Sequence, residues 1–366
     1  MQDGAGIRLE QLRAAMADQA IDLVCLGPGA HLEWLLGLHP HADERPLLFC
    51  ATQDETGFLM PALEAESLRA QTDLPFFEWA DADGPNAALS QLLDHLAAQS
   101  ARSIVLDETM RADFAALVQD RLLNANRQFT GSTVGALRMR KGDAAYRSLK
   151  KNAQIADQAL QTAWALMKPG LREEEVGEVI KDSFLSQGAK PLFGIVGAGA
   201  NGAFPHHQTG QTELKSGDAI VMDIGAGMDG YSSDITRMAV IGTPPDGYEE
   251  VYAIVDRAVE AALAAAKPGV PAKMVDKAAR DVITKAGYGE YFVHRTGHGL
   301  GTEVHEPPYI TASSETILDV GMVFSIEPGI YLPGRFGIRL EEIVILRADG
   351  PEILSNLPRD TVIIND

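Results

Sequence analysis

Between residues 200 and 345 the chain concentrates groups that hold cations and move protons. Asp223 and Asp234 lie eleven positions apart in VMDIGAGMDGYSSDITRMAVIG, a segment otherwise patterned as a buried hairpin. Glu327 ends the apolar run VFSIEPG, and Glu341 follows GIRL. A buried, unpaired carboxylate costs several kcal/mol, so each acid must be paired, protonated or bound to a metal. Arg237 and Arg339 are candidates for pairing, but two arginines do not balance four acids. Five of the nine histidines lie in two short stretches: His206 and His207 in NGAFPHHQT, and His294, His298 and His305 in FVHRTGHGLGTEVHEPP. The glycines beside His298 read as letting the backbone approach a ligand. One imidazole with four carboxylates is a hard, oxygen-rich set suited to Mn²⁺, Co²⁺ or Fe²⁺. Five side chains are too many for one ion that must also hold water. They suit two ions about 3.5–4 Å apart, bridged by carboxylates and by a hydroxide able to act as nucleophile.

The elements that must position these groups show an internal echo. MKPGLREEEVGEVIKDSFLSQG (167–188) and AKPGVPAKMVDKAARDVITKAG (266–287) share Lys-Pro-Gly, a helical pattern and a closing Gly at an offset of 99 residues. LKSGDAIVMDIG (214–225) then matches LDVGMVFSIEPG (318–329), which sets Asp223 against Glu327. Each acid is followed by a second in its own hairpin, Asp234 and Glu341. Two copies of one unit, each with two carboxylates, predict a pseudo-symmetric domain whose four acids meet at the axis.

Up to about residue 135 the pattern is a short alternation. Helical LEQLRAAMADQ precedes apolar IDLVCLG; RPLLFCA and GFLMPA are joined by turn-like TQDE; LPFFEW and SIVLD each lead into a helical run. This predicts a small α/β domain over 1–135 and a second domain over 136–366, opened by a helix running from LRMRKGDAAYRSLKK (137–151) onwards. The 366 residues, 46% hydrophobic, are more than one core usually holds. A net charge of −20 argues against nucleic acid and anionic membranes as partners. No apolar run reaches the length of a membrane span, and MQDGAGIRLEQLR lacks the plan of a secretory signal, which points to the cytoplasm. Cys25 and Cys50, both in apolar segments, read as reduced, packed thiols. Trp34 reads either as helix packing or as part of a cap over the site.

MDIGAxxxGYxSDITR, HRTGHGLGxEVHEPP, SIEPGIY and GIRLEE resemble, in order, the signature segments of the pita-bread metallopeptidases (M24), in their Xaa-Pro aminopeptidase and prolidase branch. The resemblance implies an α/β (α+β) chain: a creatinase-like N-terminal α/β domain followed by a pseudo-symmetric pita-bread catalytic domain. It implies two divalent ions, Mn²⁺ foremost with Co²⁺, Fe²⁺ or Zn²⁺ as alternatives, held by Asp223, Asp234, His298, Glu327 and Glu341, with Asp234 and Glu341 bridging. By the same resemblance Glu327 is also the proton shuttle. His206 and His305 bind the substrate carbonyl, His294 lines the proline pocket, and Arg339 orients a ligand carboxylate. His207 has no role in the family and reads as a surface residue. The implied substrates are short peptides with proline second, and the implied assembly is a homodimer.

Within the branch, a dipeptidase must hold the substrate's own carboxylate, and no Arg or Lys occurs between Arg295 and Arg335. That favours an Xaa-Pro aminopeptidase over a prolidase, unless Arg335, the N-terminal domain or a second subunit supplies the charge. The same fold hosts metal-free creatine hydrolysis, metal-dependent lyases and binding modules. The complete set of five ligands argues against the first and last, and the intact His206, His294 and His305 argue against a lyase.

Overall fold

The computed structural model describes residues 4–365. The chain divides into two compact units, Met1–Arg138 and Met139–Asp366. Among the described residues no helix is long and apolar enough to cross a membrane.

In the first unit six strands form one mixed sheet, in the spatial order 76–79, 56–61, 48–51, 23–26, 103–106 and 126–129. LVCL, LFCA and TGFLMP are buried at every position, as strands covered on both faces must be. One core, containing Leu12, Phe49 and Phe58, lies on one side; another, containing Leu89, Leu92 and Phe114, lies on the other. The TQDE turn joins an antiparallel pair in which Leu48 faces Leu59. Cys25 and Cys50 face each other across neighbouring strands with their sulfurs 3.3 Å apart, both free and fully buried. The contact with Cys25, reinforced by burial, pushes the Cys50 thiol well above its ordinary value and keeps it protonated. Trp34, on the helix Ala30–Leu36, packs against the first of these cores. The strand Asn126–Phe129 escapes sequence patterning because it sits at the sheet edge, paired with 103–106 alone, where NRQF needs no apolar face.

The helix predicted to begin near residue 137 begins instead at Asp143 and runs to Leu166. A separate short helix, Val134–Met139, precedes it. Between them Arg140 bridges to Met322, and the Lys141 N–H donates to the Gly321 carbonyl at 2.7 Å. Those amides are taken by a neighbouring strand, so they cannot continue the helical ladder.

The second unit is built twice over. Helices Asp143–Leu166 and Glu173–Ser186 precede strands 190–198, 219–228 and 235–241; helices Tyr248–Ala265 and Ala272–Lys285 precede strands 297–299, 323–326 and 342–347. In both halves the strands pair antiparallel in matching order. The halves agree at single hydrogen bonds: Gly170 N–H to Leu214 O and Gly269 N–H to Leu318 O, then Glu173 N–H to Thr212 O and Ala272 N–H to Thr316 O. The echo in the sequence is a duplicated structural unit. The first helix pair covers one face of its sheet with apolar residues, such as Ala156, Leu160 and Phe184 over Ile220 and Met222. The opposite face is left for the polar centre.

Candidate metal centre

Strand pairing brings the four acids together. Asp223 sits within the strand Ala219–Met228, paired with Ile195 and Thr236. Asp234 stands just before the next strand, Ile235–Ile241, where the chain re-enters the sheet. Glu327 and Glu341 take the corresponding places, after Val323–Ile326 and before Glu342–Arg347. His298 is the middle residue of a three-residue strand, Gly297–Gly299, between Glu306–Ile310 and Val323–Ile326. Asp234, His298 and Glu341 are buried, and each offers a ligand atom within 4.8 Å of the other two.

The electrostatics of the metal-free cluster are unfavourable. Burial, then the charge of Glu341, pushes the Asp234 carboxyl far above its ordinary value. Burial, then Glu327 and Asp223, does the same to Glu341. Burial also opposes ionisation of Glu327, but the hydrogen bond and charge of His298 outweigh it and hold this carboxyl low. His298 Nε2 lies 3.1 Å from Glu327 Oε1 and 3.7 Å from Asp234 Oδ2. Its Nδ1 lies 3.1 Å from the Gly299 carbonyl, which accepts the Nδ1 proton. With Nδ1 committed to the Gly299 carbonyl, Nε2 is the nitrogen that would offer its lone pair to a cation, which would replace the proton it otherwise shares with the Glu327 carboxylate. Asp223 Oδ1 and Glu341 Oε1 are sealed from solvent without a hydrogen-bond partner among the described residues. Orphaned buried oxygens of this kind demand a ligand, and a hard divalent cation fits the donor set.

Neighbouring groups aim the acids. Arg339 Nη2 donates to Asp223 Oδ2 at 2.6 Å, Nη1 to Tyr331 Oη at 2.8 Å, and Nε to Thr236 Oγ1 at 3.1 Å. Thr236 Oγ1 donates to Glu341 Oε2 at 3.0 Å. Ser325 Oγ donates to Glu327 Oε1 at 3.0 Å and accepts the His298 N–H at 2.9 Å. Arg237, a pairing candidate from sequence, neutralises none of the four acids. It is fully buried and bonds both oxygens of Glu342 at 3.1 Å, the carbonyls of Leu357 and Pro358, and the backbone of Thr236 and Glu341. The glycines around His298 also act differently from the sequence reading. A Cβ on Gly297 would lie 1.9 Å from the Ser325 carbonyl oxygen, and one on Gly299 would lie 2.3 Å from that of Pro307. They admit neighbouring strands rather than a ligand.

A cavity of about 740 Å³ opens beside the acids. Its lining includes His206, His294, His305 and Arg295 together with apolar Phe193 and Ile195. The His305 ring meets His298 edge-on at 4.1 Å, and burial, then the charge of His298, lowers its pKa to about 4. Tyr331 Oη, accepting from Arg339, donates to His294 Nε2 at 2.7 Å, and His294 Nδ1 donates to the Arg295 carbonyl at 2.7 Å. Gly225 gives Phe193 its place, since a Cβ there would lie 2.2 Å from the ring. His207 is not a surface residue: its side chain is largely buried, and its Nε2 lies 2.8 Å from Oε2 of the fully buried Glu173. Glu173 also accepts from the Ala198 N–H and from Asn201, tying down the loop that carries His206. Sequence reasoning missed Tyr331, Thr236 and Ser325. Tyr331, in EPGIY, and Thr236, in SDITR, stood inside the quoted motifs as the signal.

In the first unit His31, Asp107 and Glu108 also gather. There Arg138 Nη1 donates to His31 Nδ1 at 2.9 Å, so the other ring nitrogen carries the proton and faces Thr130 Oγ1 at 3.1 Å. That ring has no lone pair left for a cation, and this grouping is an ionic network.

Comparison with known proteins places the chain. The description of metallopeptidase family M24 matches residues 147–348, and that of the creatinase/prolidase N-terminal domain matches residues 8–140. A probable dipeptidase PepE of Mycobacterium tuberculosis is 36% identical over 98% of this chain and 96% of its own. An Xaa-Pro dipeptidase of Pyrococcus furiosus is 32% identical over 96% of this chain and 99% of its own. The crystal structure of dipeptidase PepE from Mycobacterium ulcerans superposes with a TM-score of 0.94 at 34% identity, covering 99% of this chain and 98% of that one.

Proposed function

The chain belongs to metallopeptidase family M24, with a creatinase/prolidase N-terminal domain, and from that premise we propose that it is a metal-dependent Xaa-Pro dipeptidase. The preference for an aminopeptidase, drawn from the absence of a basic residue between Arg295 and Arg335, is replaced. The names of the relatives favour dipeptidases, and the missing charge has a source in Arg295 itself. One observation carries the reading: Arg295 lines the cavity with His206, His294 and His305, and its guanidinium is stacked 4.8 Å above the Tyr309 ring. No carboxylate among the described residues pairs with it. A guanidinium held by an aromatic face and left without an anion suits the terminal carboxylate of a dipeptide.

In this reading Asp223, Asp234, His298, Glu327 and Glu341 hold two divalent ions, with Mn²⁺ the leading candidate. When bound, these ions supply Lewis acidity and an activated water and offset the clustered negative charge. His294 and the apolar wall confine the proline ring, whose missing N–H denies it an ordinary backbone grip. His305, neutral near physiological pH, and His206 donate hydrogen bonds to the carbonyl oxygen as negative charge develops there. Glu327, held by Ser325 Oγ, takes a proton from the attacking water and delivers it to the departing imide nitrogen. Arg339 keeps Asp223 aimed.

The test compares metal-stripped protein, with and without Mn²⁺ or Co²⁺, on Ala-Pro, on its C-terminal amide and on Arg-Pro-Pro. Metal-dependent cleavage of the free dipeptide, with the amide and tripeptide poorly used, is expected. Equal or faster cleavage of the tripeptide would restore the aminopeptidase reading.

A further inference from the structure

The wall of the cavity that carries His294 and Arg295 belongs to no helix or strand; it is residues 292–296, ahead of the short strand Gly297–Gly299. An irregular segment cannot hold two ligand-facing side chains to sub-ångström precision unless something outside it fixes its backbone. Here that support comes from the helix Ala272–Lys285. Arg280 Nη2 donates to the His294 carbonyl at 2.8 Å and Nη1 to the Phe292 carbonyl at 3.1 Å, while the guanidinium lies 4.2 Å from the centre of the Phe292 ring. Asp276, one helical turn earlier and fully buried, locks the same guanidinium in a two-point pair at 3.0 and 2.9 Å. Asp276 Oδ1 also accepts from the Thr296 N–H at 3.1 Å and from Thr296 Oγ1 at 2.8 Å. The Thr296 carbonyl in turn accepts the Glu327 N–H at 2.8 Å.

We infer that Asp276 and Arg280 are the positioning pair of the substrate-recognition wall: they set His294 and Arg295 against the bound dipeptide without touching it. The inference rests on the dipeptidase reading, in which Arg295 receives the substrate carboxylate. The clamp grips the carbonyls on both sides of Val293 and the amide and hydroxyl of Thr296, fixing the backbone from which the His294 ring reaches Tyr331 and the Arg295 guanidinium reaches Tyr309. Charge matters as well as reach. Arg280 uses its fork on two carbonyls and one carboxylate at once, a geometry that a point-charge ammonium covers only in part.

The experiment uses the full-length, metal-loaded protein and three variants, Arg280→Met, Arg280→Lys and Arg295→Met. The readouts are kcat and KM for Ala-Pro, the preference for Ala-Pro over its amide, bound metal per chain and the melting midpoint. Arg280→Met should raise KM for Ala-Pro about tenfold and shrink the preference over the amide, with kcat within about threefold, because the displaced groups hold the proline ring and the carboxylate equally in substrate and transition state. Metal content should stay at the parent level, and Arg280→Lys should fall between parent and Arg280→Met. A purely structural role would instead lower the melting midpoint and metal content and leave the preference unchanged, which overturns the inference. Arg295→Met separates the two ideas. If it abolishes the preference while Arg280→Met retains it, the positioning role is refuted and the dipeptidase reading stands. If Arg295→Met itself retains the preference, the carboxylate assignment is wrong and the inference falls with it. Should Arg280→Met fold poorly, Arg280→Lys carries the same KM and amide comparison.

Discussion

Replacing Asp234 by Asn should stabilise the metal-free protein while abolishing its response to metal. Asp234, His298 and Glu341 offer ligand atoms within 4.8 Å of one another. Two unit negative charges at that distance repel by roughly 3 kcal/mol at an effective dielectric of about 20. Proton uptake relieves part of this, since burial and the neighbouring carboxylates raise both carboxyls well above their ordinary range. The net gain from Asp234→Asn is then about 1–2 kcal/mol. For a unit of this size that corresponds to roughly 2–8 °C in the melting midpoint. The parent should gain about 2.7 kcal/mol for each site when Mn²⁺ reaches about a hundred times its Kd. Asp234→Asn should gain little of this, and its peptidase activity should vanish. Differential scanning calorimetry of chelator-treated protein near neutral pH, with and without Mn²⁺, reads both quantities. A metal-free Asp234→Asn that melts below the metal-free parent would mean that the carboxylate stabilises the fold by itself, and the argument for a cation would fail.

Two further perturbations test the scaffold. Gly297→Ala sets a Cβ 1.9 Å from the Ser325 carbonyl oxygen, backbone against backbone; it should cost about 3–5 kcal/mol and lower metal affinity, and a melting midpoint within a degree of the parent would refute the strand-packing role of this glycine. Burial works against the Glu108 charge, but hydrogen bonds from His31 and Thr130 prevail and hold its pKa at about 2, below the ordinary 4.5. The stability that its ionised form contributes is therefore complete above about 4.5 and is lost as the pH falls towards about 2. With its side chain 37% exposed, solvent screening limits the effect to at most about 1 kcal/mol. The difference in melting midpoint between the parent and Glu108→Gln should change across that window, and a constant difference would refute the assignment.

The legible parts of this protein share a physical character. Strands buried on both faces announce themselves as unbroken apolar runs, so LVCL, LFCA and GFLMP were readable, whereas NRQF at a sheet edge was not. The duplication was readable because Lys-Pro-Gly and the acid-bearing hairpins must recur wherever the same turn and strand geometry recurs. The acids stood out because carboxylates in apolar strands are costly without a partner. The helix start at Asp143 was missed because Arg140 and Lys141 are drawn to a strand some 180 residues away in sequence, and local pattern carries no sign of that.

By itself, the sequence determined the family, the two-part plan and which carboxylates and histidines needed an explanation. Those follow from composition along the chain, and they survive without coordinates. Only the tertiary structure decided the pairings. Arg339 serves Asp223 while Arg237 serves Glu342, although both arginines stand within three residues of a candidate ligand. The glycines beside His298 make room for carbonyls, His207 anchors a loop through Glu173, and Arg295, at the cavity wall, stacks over Tyr309. Each of these is a choice among partners of equal chemical merit. What settles it is which strand lies alongside, a distance of a few ångströms across the sheets and a hundred residues along the chain.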